Sequence, residues 1–170
     1  MRKRLSKMNQ QALEKQFISL ITECQQIIYK VCYVYTSDEY TLEELYQETV
    51  INLWKGFPGF RAESKASTWV YRIAMNTCIS YFRQSSSRPQ TVPIPFSLEA
   101  SLTDDDPQNY YLQQLHRLIN RLGKLERALI LLWLDERSYD EIAEILGISK
   151  SNVGTRLNRV KDKLKKMSNL

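Results

Sequence analysis

The sequence predicts an all-α protein of two small helical domains joined by a flexible linker. Apolar residues recur at the 3.6-residue spacing of helices through most of the chain, and glycine and proline number only five each in 170 residues. The stretch 84–109 is the exception, since it lacks this period and holds serines, four prolines and an Asp104–Asp106 run. The division that follows is a basic extension at 1–9, a first domain at 10–83, the linker, and a second domain at 110–170.

The first domain is predicted to hold three helices. The first runs from about residue 10 to residue 35. Thr41 and Glu44 have the spacing of a capping box, so the second helix begins there, and Pro58 and Gly59 end it. A polar loop at 60–67 precedes the third helix, which runs from about residue 68 to residue 83.

One face of the second helix is acidic. Glu44, Gln47, Glu48 and Ile51 recur at helical spacing opposite its apolar stripe. Such a face is suited to docking another protein. A solvated face explains the spacing equally well.

The third helix combines aromatic, basic and amide side chains on one side. Trp69, Arg72 and Asn76 share this side and follow a basic loop. Unstacked bases bind to aromatic rings, and an amide can read a base edge, so the side is suited to single-stranded DNA. An ordinary core position for Trp69 is equally consistent with the pattern.

The second domain is predicted to end in a helix-turn-helix. Ser138 and Glu141 form a capping box, Gly147 ends the first helix, and Ser149 caps the second. Before this motif, the apolar residues predict two further helices, one through Leu112, Leu115, Leu118, Ile119 and Leu122, the other through Leu125, Leu129, Leu132 and Trp133.

The last helix has an apolar stripe and a polar, basic face. The stripe consists of Val153, Leu157, Val160 and Leu164. The opposite face carries Ser151, Thr155, Asn158, Arg159 and Asp162, flanked by Lys150, Asn152 and Arg156. Asn and Arg bond base edges while Lys and Arg neutralise phosphates, so this helix is suited to a DNA major groove. The alternative is a solvated charged helix that ends a bundle.

Composition argues against several other classes. The net charge is +5, and blocks of opposite sign alternate along the chain, ending in +6 over residues 150–170. Three cysteines without a C-x-x-C spacing indicate buried thiols in a reducing compartment, hence the cytoplasm. The single histidine, His116, lies in a helical run, and no metal cluster or nucleophile–base pair can be assembled. We therefore expect no enzyme activity, no cofactor and no metal. The sequence also lacks a secretory h-region and a membrane span.

Three stretches together resemble the bacterial RNA polymerase sigma factors of the extracytoplasmic-function (ECF) group. They are TLEELYQETVINLWKGF, FRAESKASTWVYRIAMNTCISYFRQ and LERALILLWLDERSYDEIAEILGISKSNVGTRLNRVKDKLKK. The first resembles the polymerase-binding helix, the second the promoter-melting segment, and the third the family's fourth region. Two departures are Gly154, where the family often has a side chain that reaches DNA, and Gly123, which replaces a frequent proline.

The resemblance implies a function and a role for each set of residues. It implies a sigma factor that binds core RNA polymerase and promoter DNA, with an anti-sigma factor as a further partner and no membrane contact of its own. The polymerase-binding set is Glu44, Gln47, Glu48 and Ile51. The set for the melted −10 element is Arg61, Ser64, Lys65, Ser67, Trp69, Arg72 and Asn76. The set for the −35 duplex is Tyr139, Lys150, Ser151, Asn152, Thr155, Arg156, Asn158 and Arg159. The linker would thread the RNA channel of the polymerase.

Two other functions are less consistent with the sequence. A stand-alone helix-turn-helix regulator accounts only for residues 110–170 and leaves Trp69 and Asn76 unexplained. A nucleic-acid-modifying enzyme lacks the carboxylate or histidine constellation that its chemistry needs.

Overall fold

The computed structural model describes residues 2–37, 40–81 and 107–168, and the side chains of residues 10–37, 40–81 and 111–168. Within these ranges the regular structure is helical apart from an isolated antiparallel bridge between Ser37 and Tyr40, which confirms the all-α prediction. The helices are α1 Arg2–Tyr35, α2 Leu42–Gly56, α3 Ala66–Tyr81, α4 Pro107–Asn120, α5 Lys124–Leu134, α6 Tyr139–Leu146 and α7 Lys150–Ser168. A short 3₁₀ turn, Phe57–Gly59, follows α2.

Helices α1, α2 and α3 pack against one another and form the N-terminal helix group. Each contributes its apolar stripe to a shared core, in which Ile28, Val31, Leu45, Leu53 and Val70 are fully buried. The apolar stripes at helical spacing thus determine which faces meet.

Some helices begin earlier than the sequence indicates. Helix α1 begins at Arg2, inside the predicted basic extension, because Arg, Lys, Leu and Met favour a helix without forming an apolar stripe. Helix α4 begins at Pro107, inside the predicted linker, since proline is tolerated in a first helical turn. Residues 82–106, which hold most of the predicted linker and Arg83, lie outside the described residues.

Helices α4 to α7 form the C-terminal helix group. Val153, Leu157 and Val160 of α7 are buried against α5 and α6, and Leu164 is half-buried, which confirms the predicted stripe. The stripe of α4 is only partly buried. Ile119 and Leu122 are inside, but Leu112 and Leu115 are exposed because α4 contacts its neighbours mainly through its C-terminal half. Trp133 is also exposed, and the ammonium of Lys161 lies 3.8 Å from the centre of its ring.

The two helix groups are in contact. Helix α1 touches α4 and α5, and α3 touches α6. The buried apolar side chains of both groups join in one cluster. None of the helices in the described part of the chain is both long and apolar enough to cross a membrane.

Candidate nucleic-acid and protein-binding surfaces

The acidic face of α2 lies on the surface. Ile51 is 45% exposed, and Glu44, Gln47 and Glu48 are exposed or half-buried. The carboxylate of Glu44 is held by the capping box, where it accepts hydrogen bonds from the Thr41 backbone N–H at 2.9 Å and from the Thr41 hydroxyl at 3.2 Å. The same residue therefore fixes the start of the helix and adds negative charge to its face.

The loop before α3 and the first two turns of α3 enclose a cavity of about 510 Å³. Four residues of the predicted −10 set line it, namely Arg61, Ser64, Trp69 and Arg72. Both arginines are exposed. Ala62, which directly follows Arg61 in the loop, has a φ of 54°, a conformation that alanine rarely adopts. The cavity therefore combines an aromatic wall with two arginines and two acidic residues, Glu63 and Glu144. The ring and the arginines suit a base and its phosphate.

Trp69 is at once a packing residue and a wall of this cavity. Its ring centre lies 4.9 Å from that of Phe60 and 6.4 Å from that of Phe57. A Cβ on Gly56 would approach the indole to 3.3 Å, so the glycine allows the ring to lie over the end of α2. The two interpretations of Trp69 that the sequence left open are thus compatible.

Asn76 does not line the cavity with Trp69. It lies in a separate cavity of about 410 Å³ between α2 and α3, together with Glu48 and Asn52. Asn52 donates a hydrogen bond to the Thr77 hydroxyl at 3.2 Å. Asn76 therefore sits between the predicted strand-binding and polymerase-binding surfaces. The remaining members of the set, Lys65 and Ser67, lie at the junction of the loop and α3.

Sequence reasoning did not assign four residues of the larger cavity, namely Gly59, Phe60, Glu63 and Glu144. Phe60 lines it and packs on Trp69, but Phe60 precedes the helix, where helical spacing gives no signal. Glu144 also lines it, although it belongs to α6 in the other helix group. Only the packing of the two groups brings Glu144 there.

The helix-turn-helix has the local geometry that its sequence predicts. The Ser138 hydroxyl accepts a bond from the Glu141 backbone N–H at 3.2 Å, and the Glu141 carboxylate accepts one from the Ser138 backbone N–H at 3.0 Å. The Ser138 backbone N–H and the Ser138 hydroxyl both donate to the carboxylate and lower the pKa of Glu141. Gly147 has a φ of 66°, the left-handed conformation of a helix end, and the Asn152 backbone N–H donates to the Ser149 hydroxyl at 3.2 Å.

Helix α7 presents the predicted polar face to solvent. Ser151, Thr155, Arg156, Asn158 and Arg159 are all exposed, opposite the buried stripe. The Arg156 guanidinium donates to the Asn152 side chain at 2.7 Å, so the two side chains hold each other in position. Lys150 pairs with Asp140 at 2.7 Å, but both side chains are mostly exposed, so the pair is weak.

Tyr139 lies against α7 rather than fully in solvent. Its ring would be 3.5 Å from a Cβ placed on Gly154. Asp140 and Glu141 follow it in the first turn of α6, so this helix end carries negative side chains beside its backbone N–H groups, of which that of Glu141 is bonded to the Ser138 hydroxyl. A phosphate at this end would meet both.

The fold and these surfaces define a helical DNA-binding protein with a helix-turn-helix and a cavity lined by an aromatic ring and two arginines. Comparison with protein families gives a match to sigma-70 region 2 over residues 20–88 and to sigma-70 region 4 over residues 112–164. The chain is 33% identical to the RNA polymerase sigma factor YlaC of Bacillus subtilis, over 74% of this chain and 76% of that one. It is 30% identical to the ECF RNA polymerase sigma-E factor of Haemophilus influenzae, over 90% and 87%.

Two solved structures share the fold. One is CnrH in complex with the cytosolic domain of CnrY, with a TM-score of 0.67 at 17% identity over 92% of this chain and 89% of that one. The other is the sigma factor RpoE of Bartonella quintana in complex with the anti-sigma factor NepR, with a TM-score of 0.66 at 21% identity over 92% and 98%. The chain belongs to the ECF group of the sigma-70 family of RNA polymerase sigma factors. It is thus a transcription initiation factor and not an enzyme, and the stand-alone regulator is not supported.

Proposed function

We propose that the two helix groups of this sigma factor have separate binding functions. Residues 10–83 act as the region that binds core polymerase and the −10 element, and residues 110–170 bind the −35 element. Residues 84–109 link the two. The match to region 2 ends at residue 88, within the first residues of this linker, and the match to region 4 begins at residue 112, after it; the two matches support the division.

The single observation that carries the −10 assignment is the shared cavity of Arg61, Trp69 and Arg72. A base taken out of the duplex costs a few kcal/mol of lost pairing and stacking. Stacking on an aromatic ring returns about 1–3 kcal/mol per base, and the arginines attract the adjoining phosphates. The cavity is therefore where a flipped base of the non-template strand is held.

The −35 assignment rests on α7. Its polar face is exposed over three turns while the opposite stripe anchors it, so the face is free to enter a major groove. Arg159 and Asn158 are placed to bond base edges, and Lys150 to contact a phosphate. Glu48 and Ile51 of α2 then form the docking surface for the largest subunit of core polymerase, with Gln47 and Glu44 beside them.

Two further expectations follow from the family. Both similar structures are complexes, and in one of them the partner is an anti-sigma factor, so an anti-sigma factor is a fitting partner for this chain. A protein that works with core polymerase acts in the cytoplasm.

Reconstitution with core polymerase tests the proposal. Promoters are selected from a DNA library by the holoenzyme and then footprinted. Arg159→Ala should weaken protection of the upstream element by about 1–3 kcal/mol, and Asn76→Ala should reduce strand opening while leaving polymerase binding intact. Arg117→Ala is the matched control, since it removes an exposed charge from α4.

Two results would contradict the assignment. Unchanged protection of the upstream element by Arg159→Ala would show that another side of α7 faces the groove. Loss of polymerase binding by Asn76→Ala would move Asn76 from the strand-binding surface to the docking surface on α2.

A further inference from the structure

A polar contact centred on Asp135 joins the two helix groups. Asp135 lies in the turn after α5, and its side chain is 14% exposed. Its carboxylate accepts hydrogen bonds from the Lys30 ammonium of α1 and from the Tyr71 hydroxyl of α3. The Arg137 guanidinium donates to the same carboxylate at 3.3 Å. One acid of the C-terminal group thus holds two helices of the N-terminal group.

The Asp135 carboxylate is bonded to two cations and one hydroxyl. Burial opposes ionisation of Asp135, but the hydrogen bonds from Lys30 and Tyr71 outweigh it and lower the pKa of the carboxyl. Tyr71 is 1% exposed, so its hydroxyl would lose this partner without ready access to water if the carboxylate were removed. The contact therefore favours the arrangement in which the two helix groups touch, the closed arrangement.

Two more contacts lie on the same boundary. The hydroxyl of the fully buried Tyr35 donates to the Lys124 backbone carbonyl at 2.7 Å. The ring centres of Tyr33 and His116 are 4.5 Å apart. The groups therefore meet through specific bonds as well as through apolar surface.

Closure places acidic residues of α6 at the cavity proposed to bind the −10 strand. Glu144 lines this cavity together with Arg61, Trp69 and Arg72. Glu141 lies 3.4 Å from the Lys65 ammonium, in an exposed pair. The carboxylates thus stand beside the positive charges that a phosphate would otherwise meet.

We infer that the closed arrangement is autoinhibitory: the acidic face of α6 covers the strand-binding cavity, and the Asp135 contact holds it there. Single-stranded DNA binds only to chains in which this contact has opened, so its apparent affinity is the affinity of the open chain multiplied by the fraction of chains that are open. A partner that binds the two helix groups while they are separated shifts the chain towards the open state, which can bind single-stranded DNA. The inference rests on the proposed role of Arg61, Trp69 and Arg72.

The first experiment measures opening in the free, full-length chain by small-angle X-ray scattering. A compact chain of this length has a radius of gyration of about 16 Å. Asp135→Ala should increase this radius by several ångströms, whereas the matched control Glu136→Ala, in the same turn, should not. Circular dichroism establishes that the helices remain. If Asp135→Ala does not fold, Lys30→Ala removes one partner from the surface of α1 and should produce a smaller increase.

The second experiment measures binding of a fluorescein-labelled 12-nucleotide single strand of mixed sequence by anisotropy at low salt. Glu144→Gln should tighten the Kd about fourfold, because it removes an attraction between α6 and a cavity arginine that favours the closed arrangement, as expected for one pair of opposite charges about 5 Å apart in water. Asp135→Ala should also tighten it, while Glu136→Gln should leave it unchanged. Adding Arg72→Ala to either Glu144→Gln or Asp135→Ala should abolish the gain in affinity.

The outcomes distinguish a failure of the autoinhibition from a failure of the proposed −10 site. If Arg72→Ala weakens binding but neither Glu144→Gln nor Asp135→Ala changes it, the cavity binds DNA and the autoinhibition is wrong. If Arg72→Ala has no effect in any background, the proposed −10 site itself is wrong. An unchanged radius of gyration for both Asp135→Ala and Lys30→Ala would show that Asp135 does not hold the groups together.

Discussion

Gly154 offers the sharpest test of the packing within the helix-turn-helix. Gly154 lies inside α7 and has helical backbone geometry, so alanine is compatible with its conformation. The nearest atoms to an added Cβ are those of the Tyr139 ring, at 3.5 and 3.9 Å, which is ordinary van der Waals contact. The methyl group therefore fits without displacing the ring.

The expected effect of Gly154→Ala is a gain in stability. Alanine is favoured over glycine in a helix interior by about 1 kcal/mol, largely because glycine loses more backbone entropy on folding. For a domain of this size, 1 kcal/mol corresponds to roughly 2–4 °C in Tm. Thermal and urea unfolding followed by circular dichroism at 222 nm would measure it.

Gly147→Ala is the matched control with the opposite sign. Gly147 has a φ of 66°, and an L-residue pays about 1–2 kcal/mol in that conformation. The same methyl group should thus stabilise at residue 154 and destabilise at residue 147. A loss of stability for Gly154→Ala would refute the reasoning, because it would mean that Tyr139 packs more closely against α7 than the 3.5 Å contact allows.

Two other predictions concern titratable groups. Cys32 and Cys78 are fully buried, and the hydrogen bond with Cys32 together with burial raises the pKa of Cys78. A thiol reagent at pH 8 should therefore label neither cysteine until the chain unfolds. Rapid labelling of the native protein would contradict their burial. Stability should fall as the pH drops below about 4: Asp135 and Glu126 have folded-state pKa values below their ordinary ones, so their contribution is present above those ordinary values and is lost as they protonate. Urea titrations at pH 3 and pH 6 would measure the slope, and Asp135→Asn should reduce it.

Local signals in the sequence predicted much of the fold and part of the site. The capping boxes at Thr41 and Ser138, the helix end at Gly147 and the buried stripe of α7 are all present as expected. Each depends on residues within one or two helical turns, so backbone geometry and burial on one face decide them. The extra turns of α1 at Arg2 were missed because propensity without an apolar stripe leaves no periodic trace.

The sequence by itself determined most of the helices, their buried faces and the two stretches that we propose to face nucleic acid, because these properties arise between near neighbours in the chain. Only the tertiary structure decided that Asn76 lies apart from Trp69, that Phe60 supports the indole, and that Glu144 reaches the same cavity. The bond between Tyr71 and Asp135 spans 64 residues. No pattern along the chain specifies such a pair, because the two residues meet only when the two helix groups, each with its own apolar pattern, pack against each other.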